Sequence, residues 1–255
     1  MGKYLNKIYN LVSNPDLLHY INGNDLDISW LIEAGCHDGT DTLRFLSDQR
    51  FRKIFAFEPD PVSFELASKN LADHRNRVIL QKIALMDKPV PVKAHPLEGL
   101  FGTGSTIFIP TLGSEVKHST ENNIVVSCLD EKIPKLGGEG ALWLDVEGSA
   151  VPVLQGASRI LKQITIAQIE IDMHTQSKER LKNYRTVFNL MKAEGFSLVA
   201  APLHPGYFGD ALFIKLRRRS VSLRAKSSLL FFTMIILHSL IYPLLSKPER
   251  VKIPA

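Results

Sequence analysis

From Trp30 onward the chain alternates short apolar runs with stretches whose apolar residues recur at helical spacing. "WLIEA" (30–34) precedes "TDTLRFLSD" (40–48), and "KIFAFEP" (53–59) precedes "PVSFELASKNLADH" (61–74) with Pro61 at a helix start. "RVILQKIAL" (77–85), "VPVKAHP" (90–96) and "NNIVVSCLD" (122–130) read as strands. The strand "ALWLDVEG" (141–148) leads into the helix "AVPVLQGASRILK" (150–162), and "ITIAQIEID" (164–172) into "KERLKNYRTVFNLMKAEG" (178–195), with Gly195 as its C-cap. "FSLVAA" (196–201) and "DALFIKL" (210–216) close the series as an antiparallel pair. Strands that are apolar almost throughout need cover on both faces. The pattern therefore predicts an α/β fold, a mostly parallel sheet with helices on both sides.

Three segments follow. Residues 1–27 read as an N-terminal helical segment, 28–216 as the α/β domain, and 217–255 as a basic linker and hydrophobic C-terminal helix. The net charge of +5 is concentrated at the C-terminal end, with +6 in residues 215–226 and +2 in 247–255, so the rest carries −3. A mildly acidic body gives no electrostatic footprint for nucleic acid. Residues 227–246, "SSLLFFTMIILHSLIYPLLS", hold no formal charge. As a helix they would be about 30 Å long, and they are apolar on every side, so membrane association is expected through this segment. The flanking basic residues favour a cytoplasmic side for the main domain. Cys36 and Cys128 have no metal or redox spacing and are expected as reduced thiols. "MGKYLNKIYNLVSN" lacks the apolar core of a signal peptide.

The first strand–helix turn is "EAGCHDGT" (33–40). Gly35 and Gly39 let a ligand approach the backbone, as ligands do at the carboxyl ends of strands in open parallel sheets. The dinucleotide fingerprint G-x-G-x-x-G is absent, and the glycines lie beside Glu33 and Asp38 rather than Lys or Arg. That charge repels a pyrophosphate and attracts a ligand with an ammonium and a sulfonium, such as S-adenosyl-L-methionine. Glu58, twenty-three residues after Gly35, ends the second strand where an acid can accept hydrogen bonds from ribose hydroxyls. His37 is expected near the cofactor as a loop residue. "FGTGST" (101–106) lacks the ending of a phosphate loop and reads as a segment near the acceptor or a simple turn.

"LIEAGCHDGTDTLRFL", "IFAFEPDPVSFELASKNL" and above all "LWLDVEGSAVPVLQGASRIL" resemble the FkbM-type methyltransferases, S-adenosylmethionine-dependent O-methyltransferases. The likeness spans about residues 30–200 and implies a Rossmann-like class I methyltransferase fold. It implies cofactor contacts from Glu33, Gly35, Gly39 and Glu58, with Ala84 near the adenine and Asp145 near the methyl-transfer centre. Glu33 stands where Asp is more usual, and Cys36-His37-Asp38 replaces the commoner Ala-Asn-x.

Methyl transfer to a hydroxyl needs in-line alignment, exclusion of water and removal of a proton. Asp145 and Glu147 alternate about Val146, so a regular strand would aim one of them into the site, and a turn at Gly148 could bring in both. Glu170, Asp172 and His174 share one side of the neighbouring strand. The general base is expected to be Asp145 or His174, with Glu147 and Glu170 as positioning groups. Such acids also suit a hard divalent metal, but no metal is assigned. The resemblance, together with the apolar tail, implies an acceptor hydroxyl on a sugar, glycan or lipid-linked molecule. The competing readings are a nicotinamide-dependent oxidoreductase and a non-catalytic binding module on the same fold.

Overall fold

The computed structural model of the 255-residue chain describes residues 16–89, 92–96, 107–108, 122–172, 178–201 and 208–215. Residues 1–15, the Gly-rich stretch 101–106, His174 and the apolar segment 227–246 lie outside the described residues. Among the described residues, no helix is long and apolar enough to cross a membrane.

Helix α1 (Leu17–Gly23) begins where the Asp16 carboxylate accepts the backbone N–H of His19, a standard N-cap. Strand β1 (Ile28–Ala34) is followed by α2 (Thr40–Leu46), β2 (Lys53–Phe57) and α3 (Pro61–Asn70). Helix α3 has Pro61 in its first turn, and Asp60 caps the backbone N–H of Ser63 at 2.8 Å. The run 77–85 divides. β3 (Val78–Gln81) joins the main sheet, while β4 (Ala84–Leu85) pairs elsewhere.

An excursion follows, with β5 (Val92–Pro96) antiparallel to both β6 (Ile107–Phe108) and β7 (Asn122–Ile124). β8 (Val126–Ser127) returns to lie parallel to β4. The end of "NNIVVSCLD" is not strand, because Leu129 opens a short helix, α4 (Leu129–Lys132). β9 (Glu139–Leu144), α5 (Ala150–Gln155), β10 (Ile164–Asp172), α6 (Lys178–Ala193), β11 (Ser197–Ala200) and β12 (Phe208–Ile214) complete the chain.

The main sheet has seven strands in the order β11-β12-β10-β9-β1-β2-β3. The strands from β3 to β10 run parallel, and β12 inserts antiparallel between β10 and β11. The expected closing pair is thus present, as a hairpin whose second strand lies inside the sheet. Trp30, Ile32, Phe55, Phe57, Leu142, Leu144 and Ile169 belong to the core on one face of the sheet, and Leu31, Ile54, Ala141, Ile166 and Leu212 to the core on the other. The two-residue alternation places these sets, and full burial of each large side chain contributes about 1.5–3 kcal/mol. Cys36 and Cys128 are both buried and free of a disulfide.

Two expected elements are corrected. The strand read through Gly148 stops at Leu144, because Glu147 (φ 47°) and Gly148 (φ 87°) turn the chain in the left-handed region. The helix expected over 150–162 ends at Gln155, and a 3₁₀ turn spans Ile160–Gln163. A β-carbon on Gly156 would lie 2.2 Å from the Met86 carbonyl oxygen, so the break is a point of close contact with the segment after β4.

Candidate active site

The crevice begins at the carboxyl end of β1. Gly35 has φ 86°, and a β-carbon there would lie 1.7 Å from the Asp145 carbonyl oxygen, so only glycine fits. The amides of Gly35 and Cys36 both donate to the Phe57 carbonyl, at 2.9 and 3.0 Å, which ties the turn to β2. Gly39 (φ 83°) precedes α2, and a β-carbon on it would press on Leu71 at 3.0 Å. Its role is therefore to bring α2 against the end of α3.

Glu58 follows β2 and is 7% exposed. One carboxylate oxygen accepts the backbone N–H of His37 and the other that of Asp60, each at 2.8 Å. Burial raises its pKa, and the two amide bonds oppose that rise. Each oxygen keeps a lone pair for a further donor. The cavity in front of it measures about 310 Å³. It is lined by Gly35, His37, Glu58 and Asp60 at one side, Phe57, Ile83, Ala84, Leu85 and Met86 along its wall, and Asp145, Val146, Glu147 and Ser149 at the other. An apolar wall with a few convergent polar groups is the usual make-up of a small-molecule site.

Beyond Gly35 the strand ends bring acids together. Ala34 pairs with Leu144, Leu144 with Ile169, and Glu170 with Asp210. One residue further along, Gly35, Asp145, Glu170 and Asp210 therefore form a lateral row on one face of the sheet. Glu147 joins from the turn, and carboxylate oxygens of Asp145, Glu147 and Glu170 lie within 4.8 Å of one another. The turn after Leu144 thus brings both acids of "DVEG" to the site. Burial first, then the neighbouring carboxylates, raises the pKa of Glu170, and burial also raises that of Asp145. The two stand side by side, and each disfavours ionisation of the other. Three such oxygens are a donor set that could hold a hard divalent cation.

Glu33 has a different setting. Its side chain is 0% exposed and does not line the cavity, and it accepts the Thr42 hydroxyl at 2.6 Å. Its second oxygen is buried without a hydrogen-bond partner. Burial pushes its pKa up to about 8, despite the Thr42 bond. Of the residues expected at the cofactor, Gly35, His37, Glu58, Ala84 and Asp145 line the cavity, while Glu33 and Gly39 support the turn from behind. Glu170 stands beside Asp145. His174 and the side chain of Asp172 lie outside the described residues. Asp210 and Gln168 were not expected at the site. The alternation in "GDALFI" assigns Asp210 a face, but its place opposite Glu170 follows only from the strand register.

A parallel sheet closed by an antiparallel hairpin, with a crevice after β1 and acids after β9 and near the end of β10, defines an α/β fold of the methyltransferase type. The family model for the methyltransferase FkbM domain matches residues 33–198, and the chain belongs to that family. It is thus a methyltransferase, and membership implies S-adenosyl-L-methionine as the methyl donor rather than a nicotinamide. The 2-O-methyltransferase NoeI of Sinorhizobium fredii (strain NBRC 101917 / NGR234) is 24% identical over 193 residues, covering 71% of this chain and 77% of that protein. The methyltransferase FkbM structure from Methylobacillus flagellatus KT aligns with TM-score 0.49 and 15% identity, over 82% of this chain and 50% of that one. A putative rRNA methylase from Clostridium thermocellum aligns with TM-score 0.43 and 14% identity, over 84% and 96%. This chain spans half the length of the Methylobacillus protein.

Proposed function

We propose that the chain is an O-methyltransferase that transfers a methyl group from S-adenosyl-L-methionine to a hydroxyl of a sugar, glycan or lipid-linked acceptor. The observation that carries this reading is Asp145, which lines the donor crevice at one edge and stands beside Glu147 and Glu170 at the other. The donor supplies an electrophilic methyl on a sulfonium. Gly35 keeps the space beside β9 clear, and the free lone pairs of Glu58 suit ribose hydroxyls. The apolar run Ile83–Met86 with Phe57 suits the adenine and excludes water. Asp145 accepts the acceptor's hydroxyl proton, helped by burial, which raises its affinity for a proton. Glu170, next to it, takes up or returns a proton as the pair's charge changes. NoeI, named as a 2-O-methyltransferase, supports a hydroxyl acceptor.

The basic stretch 215–226 and the uncharged segment 227–246 support attachment to a membrane, with the catalytic domain on the cytoplasmic side. Mass spectrometry of glycans and lipids from cells with and without the gene tests the activity. A species heavier by one methyl substitution should be lost with the gene, and unchanged glycans and lipids would contradict the proposal. Deletion of everything after Arg219 should move the protein from the membrane to the soluble fraction. Full-length protein already in the soluble fraction would contradict attachment.

A further inference from the structure

We infer that Asp210, held by Gln168, makes the acceptor side of the site select uncharged or amine-bearing polyols and reject acceptors with a phosphate or carboxylate near the reacting hydroxyl. The inference rests on the methyl-transfer reading above and names the acceptor class that the same site takes. Asp210 lies beyond the span matched by the family model. It comes from β12, the one strand antiparallel to β10, whose register sets it directly opposite Glu170.

The row Asp145–Glu170–Asp210 starts at the donor crevice and runs outward across two further strands. At the usual strand spacing that is roughly 10 Å. Every side chain in it is a carboxyl that presents acceptor oxygens. Asp210 is fixed by a 2.8 Å bond from the Gln168 side-chain amide, so the head of Gln168 is turned toward the row. Gln168 is 2% exposed, and its amide oxygen is buried with no donor.

Among the described residues, none of these acids is joined to a cation by a salt bridge. Arg44, whose charge acts on Asp210, is tied to Asp16 at 2.9 Å and to Asp41 at 3.3 Å. Half-buried carboxylates with no salt-bridged cation among the described residues favour incoming donors, namely hydroxyls and ammonium groups. A phosphate or carboxylate brings only acceptors and more negative charge, which the row repels.

The test uses the full-length protein saturated with S-adenosylhomocysteine, whose binding is measured first. Four methyl glycosides built on one hexose are then titrated: the 2-amino sugar, the neutral sugar, the uronate and the 6-phosphate. The amino and neutral sugars should bind at least about tenfold tighter than the two anionic ones. Asp210→Asn should shrink that ratio to about threefold or less, and Gln168→Leu should shrink it in the same direction. A purely structural role would weaken all four sugars together and leave the ratio unchanged. Anionic sugars bound as tightly as neutral ones, a ratio unmoved by Asp210→Asn, or no sugar bound at all would each overturn the inference. Failure of S-adenosylhomocysteine to bind would instead count against the methyl-transfer reading itself.

Discussion

Glu33 shows what a single residue's position in a pattern tells and what it hides. Its place at the end of an apolar run marks it as a strand-end acid, and alternation sets its face. Depth is invisible there, and so is Thr42, which takes up one oxygen from the next helix. The folded protein holds this carboxyl near pKa 8, against an ordinary 4.5, chiefly through burial. Between those values the folded state keeps a proton that the unfolded chain has lost. Stability therefore falls as pH rises through that window. Glu33→Gln retains an acceptor for Thr42 and has nothing to ionise. In urea unfolding at pH 5 and pH 8, it should lose less stability on going to pH 8 than the parent protein does. An equal loss in both would place the proton elsewhere. Gly35 was legible as a glycine that a ligand approaches, but its contact with the Asp145 carbonyl was not. Gly35→Ala adds both a positive-φ penalty and a backbone clash. It should cost about 2–4 kcal/mol of stability by chemical denaturation, and a loss below about 1 kcal/mol would contradict the close packing.

Among the elements, the strand–helix series was readable because the central strands β1, β2 and β9 are apolar on both faces along most of their length. The errors fell where a turn interrupts a favourable pattern. "ALWLDVEG" keeps strand-like alternation through Glu147, yet the left-handed backbone at Glu147 and Gly148 ends the strand at Leu144. That turn places Glu147 with Asp145. Asp145→Asn should lower kcat by about 10²–10⁴-fold while donor affinity stays within about threefold. An unchanged kcat would remove Asp145 as the base. The helix after this turn breaks at Gly156 for a reason no local pattern carries, the approach of the Met86 carbonyl from a different part of the chain. Met86 lines the donor cavity. Gly156→Ala should therefore cost about 1–3 kcal/mol of stability and weaken donor binding as well, whereas wild-type values for both would show that the contact yields freely.

Across the whole molecule, the alternation of elements led to the sheet type, and the acidic glycine turn led to the donor. The acceptor side was far less legible. The parallel pairing of β9 with β10 sets Asp145 beside Glu170, and the insertion of β12 beside β10 brings Asp210 into line from some forty residues later in the chain. The central claim is that the crevice between Glu58 and Asp145 binds S-adenosyl-L-methionine. Calorimetric titration of that donor into the full-length protein and into Glu58→Ala tests it most directly. The account predicts one site per chain, with affinity at least about tenfold weaker in the variant, from lost hydrogen bonds to a charged acceptor. No heat of binding in the parent protein, or equal affinity in the two, would contradict it.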